Sequence, residues 1–180
     1  MGLRSFLIIM PYQPVLATLG YVFHPEDGRV LLIHRNKRPN DAHLGKYNGL
    51  GGKLEANEDP VSCMRREIEE ESGLLATQME MRGTINWPGF GKDGESWFGF
   101  LFRVTGFTGT LRLENPEGDL AWHGIESVAS LPMWEGDKYF LPLILPERGP
   151  RFYGVMPYSG GRPVSWNYQV LESEASIAGG

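Results

Sequence analysis

The chain has a single cysteine, Cys63, in 180 residues. One thiol excludes an intramolecular disulfide and fits a reducing cytoplasm. Histidine is also sparse, with four residues and no zinc-like spacing between them. No apolar run approaches the roughly 20 residues of a membrane span, and the short apolar stretch Phe6 to Met10 ends at Pro11, too soon for a signal peptide. Gly2 has Phe6 where a myristoylation signal needs Ser or Thr. Basic charge is short as well: the formal net charge is −5, and the one basic cluster is His34-Arg35-Asn36-Lys37-Arg38. That argues against a duplex nucleic-acid surface, leaving the cluster to guide phosphates into a pocket or to stay solvated. These absences predict a soluble, cytoplasmic protein. With 41% hydrophobic residues the chain can bury one ample core. It reads as one domain over residues 15–172, with an N-terminal extension or edge segment (1–14) before it and a disordered tail (173–180) after it.

What the chain does have is an ordered set of glycines, an arginine and glutamates. Gly52-Lys53-Leu54-Glu55-Ala56-Asn57-Glu58 is followed by Arg66-Glu67-Ile68-Glu69-Glu70-Glu71-Ser72-Gly73-Leu74. Matching the seven fixed positions of this pattern by chance has a probability on the order of one in a billion per start position. Asp59-Pro60 is an N-cap with a first-turn proline and Gly73 a left-handed stop, so the spacing predicts a helix from Pro60 to Ser72. At about 100° per residue, Glu67, Glu70 and Glu71 share one arc, while Val61, Met64 and Ile68 share an adjoining arc that packs. None of the i+4 positions of these glutamates is basic. Carboxylates so placed repel one another, and a hard divalent cation such as Mg²⁺ is the natural neutraliser. A bare E-x-x-E-E helix more often marks a solvated acidic face; the full spaced pattern decides against that here. Cys63 lies within this helix with no histidine beside it, which argues against a catalytic thiol.

The pattern resembles the Nudix box. The resemblance implies an α/β/α sandwich with a mixed sheet and hydrolysis, by water at phosphorus, of a nucleoside diphosphate linked to a further group. It implies that Glu67, Glu70 and Glu71 hold Mg²⁺, with Mn²⁺ as the alternative, or supply the general base. Glu70 and Glu71 lead as base, and Arg66 and Glu58 support them. Gly51, Gly52 and Lys53 would lie against the phosphates.

Two further stretches resemble the MutT-like enzymes that hydrolyse oxidised purine nucleoside triphosphates. One is Gly45-Lys46-Tyr47-Asn48-Gly49-Leu50-Gly51-Gly52-Lys53, and the other runs from Leu131 through Trp134 and Asp137 to Leu143. This resemblance implies that Asn48, Trp134 and Asp137 face the base of a small nucleotide substrate, with 8-oxo-dGTP first among candidates. Gly136 stands where that group has a first acid. A protonated and an ionised carboxyl together read an altered purine edge, and only Asp137 is available for that here. Glu117 occupies the position of an additional metal-reaching carboxylate. Other readings stay open: a turn role for Glu117 or Asn48, packing for Trp134, solvation for Lys46 and Lys53. Another Nudix substrate (a nucleotide sugar, a dinucleoside polyphosphate or an RNA cap) and a non-catalytic binding module also remain, although the box is intact.

Strands are expected from Val15 to Phe23 and from Val30 to His34 around the turn Glu26-Asp27-Gly28. A second pair, Met79 to Trp87 and Trp97 to Val104, should flank a glycine-rich loop, with Phe98, Phe100 and Phe102 on one core face. Asp119 to Ile125 reads as a strand and Asp137 to Leu145 as a helix. Phe152 to Met156 and Val164 to Leu171 should close the sheet.

Overall fold

The computed structural model describes residues 11–113 and 115–171; the expectations for residues 1–10 and for the tail from residue 172 lie outside the described residues. In chain order the elements are β1 (Val15–Phe23), β2 (Val30–His34), β3 (Tyr47–Asn48), α1 (Pro60–Ser72), β4 (Leu74–Trp87), β5 (Trp97–Gly109) and β6 (Asp119–His123). Then follow α2 (Ile125–Val128), α3 (Asp137–Ile144), β7 (Phe152–Val155), β8 (Tyr158–Ser159), β9 (Arg162–Pro163) and β10 (Asn167–Val170). Eight strands form one sheet in the order β10-β7-β4-β5-β1-β2-β3, with β6 on β2. The sheet is mixed: β1 runs parallel to β5 and β4 parallel to β7, while the remaining pairs are antiparallel.

The period of two in β1 and β2 sorts their side chains between two cores. Tyr21, Phe23, Val30 and Leu32 join Leu101 and Phe152 against Val128 of α2 and Phe140, Leu141 and Ile144 of α3. Val22, Leu31 and Ile33 face the other way and meet Phe102, Val104 and the α1 residues Met64 and Ile68. A sheet covered on both faces by helices is an α/β/α sandwich. It also explains why β2 is an unbroken apolar run, since a strand buried on both faces has no solvent side.

Helix α1 starts and stops where its cap residues require. The Asp59 carboxylate accepts from the backbone N–H groups of Val61 and Ser62 (2.8 and 3.0 Å), and Gly73 closes the helix at φ 76° with its N–H bonded to the Glu69 carbonyl. Its buried side is Cys63, Met64, Ile68 and Ser72. Val61, expected on that side, is 39% exposed. Instead Cys63 faces β1, with Sγ 3.4 Å from the Thr18 hydroxyl.

Several boundaries differ from the sequence expectation. Strands β4 and β5 extend to Leu74 and Gly109, pairing their outer ends through register shifts near Ala76, Gln78 and Met81. Those shifts break the alternation that marks a strand in the sequence. Strand β6 stops at His123, because Gly124 leads into the short α2. At the C-terminal end, Val164 lies outside β10, which is confined to Asn167–Val170. Of the three alternating phenylalanines, Phe102 is core, Phe100 packs at its rim and Phe98 is half-buried, edge-on to Phe100 at 5.5 Å.

Candidate active site

The loop between β3 and α1 is laid along β1 by backbone bonds, Thr18 N–H to Gly52 O (2.8 Å) and Leu50 N–H to Gly20 O (2.9 Å). Gly51 adopts φ 147°, and a Cβ there would fall 2.2 Å from the Thr18 carbonyl oxygen, so only glycine allows this approach. The same contact brings the loop against α1. The Glu71 carboxylate accepts the Gly51 N–H at 2.9 Å, and the Glu67 carboxylate lies directly over Gly52, 2.4 Å from where a Cβ would stand.

Arg66 organises the acidic face. Its Nε and Nη2 fork onto the two oxygens of Glu58 (2.6 and 2.9 Å), Nη1 reaches Glu67 (2.8 Å) and Glu70 (3.1 Å), and Nη2 also donates to the Lys53 carbonyl (3.2 Å). Hydrogen bonds from Arg66 and from the Glu55 backbone hold the Glu58 carboxyl down at about 2. No base lies four residues after any of the three glutamates. The partner of Glu70 lies four residues before it.

Burial has the opposite effect on two other carboxyls. It raises Glu67 above the ordinary range and pushes Glu71 up to about 8, the Gly51 N–H opposing and the nearby Glu117 and Glu67 reinforcing the shift. Glu117 is drawn to the same wall from the loop before β6 and is ion-paired with Arg35 and with Arg38 (2.5 Å). Arg35 also binds Asp41 at 2.6 Å, and Lys37 binds Asp119 at 3.0 Å, so the basic cluster is spent on internal acids.

Among the described residues no three His, Cys, Asp or Glu side chains close around one point as a preformed metal cage. The chemistry of the wall nevertheless fits a hard divalent cation. Glu67, Glu70, Glu71 and Glu117 all line one cavity, offer only oxygen donors, and include a carboxyl whose ionisation burial opposes. A cation there would favour the charged forms.

That cavity has a volume of about 520 Å³, within the range of small-molecule sites. Part of its lining is aromatic and polar: Asn48, His43, Phe90, Trp134, Asp137 and Tyr158. The Trp134 indole N–H donates to His43 Nδ1 (2.8 Å), and the Asn48 amide nitrogen lies 3.3 Å from the same atom. Burial, with Arg35 nearby, holds the His43 pKa below its ordinary value, which matches a neutral ring that accepts through Nδ1. Lys46 places its ammonium 4.7 Å from the Trp134 ring centroid, and Lys53 sits 5.3 Å from that of Trp97. Phe90 packs edge-on to both Trp134 (5.4 Å) and Tyr158 (5.0 Å). Trp134 therefore packs and lines the cavity at once. Asn48, Gly51, Gly52, Lys53, Trp134 and Asp137 all reach this single cavity. His43, Phe90 and Tyr158, which nothing in the sequence marks for it, are brought there from the β2–β3 loop, the β4–β5 loop and β8, and Arg35 of the basic cluster lines it too.

Asp137, the first residue of α3, has one carboxylate oxygen accepting the Trp134 backbone N–H at 3.2 Å. Burial pushes its carboxyl from 3.8 up to about 7, against that bond and Lys46. In that window the folded protein keeps a proton that the unfolded chain has released. The contribution therefore falls as pH rises from 3.8 through about 7 and is level above. Melting temperature measured between about pH 4 and about pH 8 should decline in wild type more steeply than in Asp137→Asn. Equal slopes would contradict the burial of this acid.

Comparison with known proteins gives a consistent picture. The NUDIX domain family model matches residues 14–144. The chain is 34% identical to the oxidized purine nucleoside triphosphate hydrolase of Danio rerio, over 81% of this chain and 87% of that protein. It is 29% identical to YvcI of Bacillus subtilis, an uncharacterized Nudix hydrolase, over 74% of this chain and 81% of that one. It is also similar to the crystal structure of the mutator MutT protein from Bacillus halodurans, with TM-score 0.74 and 28% identity, covering 86% of this chain and 97% of that one. No helix among the described residues is long and apolar enough to cross a membrane.

Proposed function

The chain belongs to the Nudix family of hydrolases, in its MutT-like branch, and on that premise we propose that it hydrolyses oxidised purine nucleoside triphosphates, 8-oxo-dGTP or a close relative. The products would be the monophosphate and pyrophosphate, which makes the enzyme a cleaner of the nucleotide pool. The observation that carries this reading is one cavity with two unlike groups in its lining. Asn48, Trp134 and Asp137 belong to an aromatic and polar group with His43 and Phe90, and Glu67, Glu70 and Glu71 to an acidic group beside Gly51 and Gly52. A nucleotide has the same polarity, a planar edge-bearing base joined to a polyanion. The Danio rerio relative, named for oxidised purine nucleoside triphosphates, supports the same substrate class.

Glu67, Glu70, Glu71 and Glu117 would hold Mg²⁺ or Mn²⁺, which when bound neutralises the triphosphate and acidifies water. The residues of the chain do the remaining work. Trp134 and Phe90 offer ring faces and edges to the base, and Asn48 and Asp137 offer an amide and a carboxyl to its polar edge. Lys53 supplies positive charge beside the glycine loop, where the phosphates would lie. Arg66 keeps Glu58, Glu67 and Glu70 in register. A carboxylate of the Glu70 and Glu71 pair accepts a proton as the water oxygen bonds to phosphorus, and the bond to the leaving pyrophosphate oxygen breaks with its electron pair.

The test is kcat/KM with Mg²⁺ for 8-oxo-dGTP, dGTP, 2-hydroxy-dATP, ATP, an ADP-sugar and a diadenosine polyphosphate. An oxidised purine should be preferred over its unmodified counterpart by about tenfold or more, roughly 1.4 kcal/mol. A flat profile, or preference for the sugar or the dinucleotide, would overturn the substrate assignment.

A further inference from the structure

Gly136 has no side chain, and the structure shows what occupies that space. A Cβ built on Gly136 would fall 2.2 Å from the Tyr158 hydroxyl oxygen and 2.6 Å from Met156 Sδ. The phenol tip therefore fills the volume that a side chain at position 136 would use, immediately before Asp137. Tyr158 is 8% exposed, yet it lines the cavity beside Asp137 and Trp134. Its position is fixed from both sides. The backbone N–H of Tyr158 donates to Pro88 O at 2.7 Å, and the ring stands edge-on to Phe90 at 5.0 Å.

From this juxtaposition we propose that the Tyr158 hydroxyl is a specificity-determining group of the base pocket, reading the purine edge together with Asp137 in place of a second acid at position 136. The proposal rests on the purine-nucleotide reading above and adds the residue and the donor type. A phenol differs from a carboxyl in a way that matters here. Burial and the neighbouring Asp137 push its pKa up, outweighing the Gly136 backbone amide, so it stays a neutral hydroxyl. A hydroxyl can donate to a ring oxygen or nitrogen and accept from a ring N–H. It does so without adding a second negative charge beside Asp137, where like charges would repel.

The experiment uses full-length enzyme with Mg²⁺ and the purine triphosphate that wild type prefers. Tyr158→Phe keeps the ring and its packing on Phe90 and removes only the oxygen. It should lower kcat/KM about five- to tenfold, chiefly through KM, as expected for losing one neutral hydrogen bond. Gly136→Ala places a methyl against the hydroxyl. It should raise KM in the wild-type background but by less than about twofold in the Tyr158→Phe background, where the oxygen is gone and the flexible Met156 thioether gives way in both. Purine preference in wild type with an unchanged KM in Tyr158→Phe, or with equal effects of Gly136→Ala in both backgrounds, would overturn this proposal alone. Absence of purine preference in wild type would overturn the underlying reading and this proposal with it.

Discussion

Glu71→Gln is expected to yield a folded protein whose kcat/KM is lower by at least about two orders of magnitude, or ~2.7 kcal/mol of transition-state stabilisation. The substitution isolates charge. The Glu71 carboxylate accepts the Gly51 N–H at 2.9 Å in the wall of the cavity, and the glutamine carbonyl can accept the same bond in nearly the same volume. Burial already opposes ionisation of this carboxyl, so removing the charge should leave the melting temperature unchanged or raised. Glu70→Gln is the companion. Glu70 is 59% exposed and bonded to Arg66 at 3.1 Å, so it too is dispensable for folding, and the same order of loss is expected. Comparing the two variants separates the roles of the two carboxylates. Near-normal turnover in both, with Mg²⁺ and a purine triphosphate, would contradict the assignment of this face to catalysis.

Arg66→Met should reduce kcat/KM by about a hundredfold, or ~2.7 kcal/mol, and Arg66→Lys should recover little of it. One guanidinium contacts Glu58, Glu67, Glu70 and the Lys53 carbonyl. An ammonium is a point donor without that planar fork and cannot hold Glu58 through two oxygens while reaching the other two acids. Methionine keeps the unbranched apolar stem and removes the guanidinium, so the loss reflects chiefly charge and donors. The measurement is steady-state kinetics on all three proteins, with melting curves to verify folding. Lysine at full activity would mean that Arg66 acts only as bulk positive charge.

The parts of this molecule that could be read from sequence are those whose causes are local. Asp59, Pro60 and Gly73 each act within a few residues, and α1 begins and ends as they dictate. The alternation in β1 and the apolar run of β2 follow from burial on both faces of the sheet. Asn48, Trp134 and Asp137, which the motif resemblance marks, line one cavity. Contacts made across long sequence separations are not legible in the sequence. The Trp134 indole meets His43 across 91 residues, and Phe90 joins Trp134 to Tyr158 from inside a glycine-rich loop that carries no periodicity. Gly136 read as a missing acid. Only the fold reveals that the hydroxyl of Tyr158, contributed by the later strand β8, stands in its space. The outer ends of β4 and β5 carry no sequence signal for a different reason, since their register shifts erase the period of two.

The most direct test of the central claim is to incubate the protein with 8-oxo-dGTP, with and without Mg²⁺, and resolve the products by anion-exchange chromatography. Metal-dependent formation of 8-oxo-dGMP and pyrophosphate in equal amounts is expected. Formation of 8-oxo-dGDP and inorganic phosphate, or binding without turnover under both conditions, would contradict that expectation.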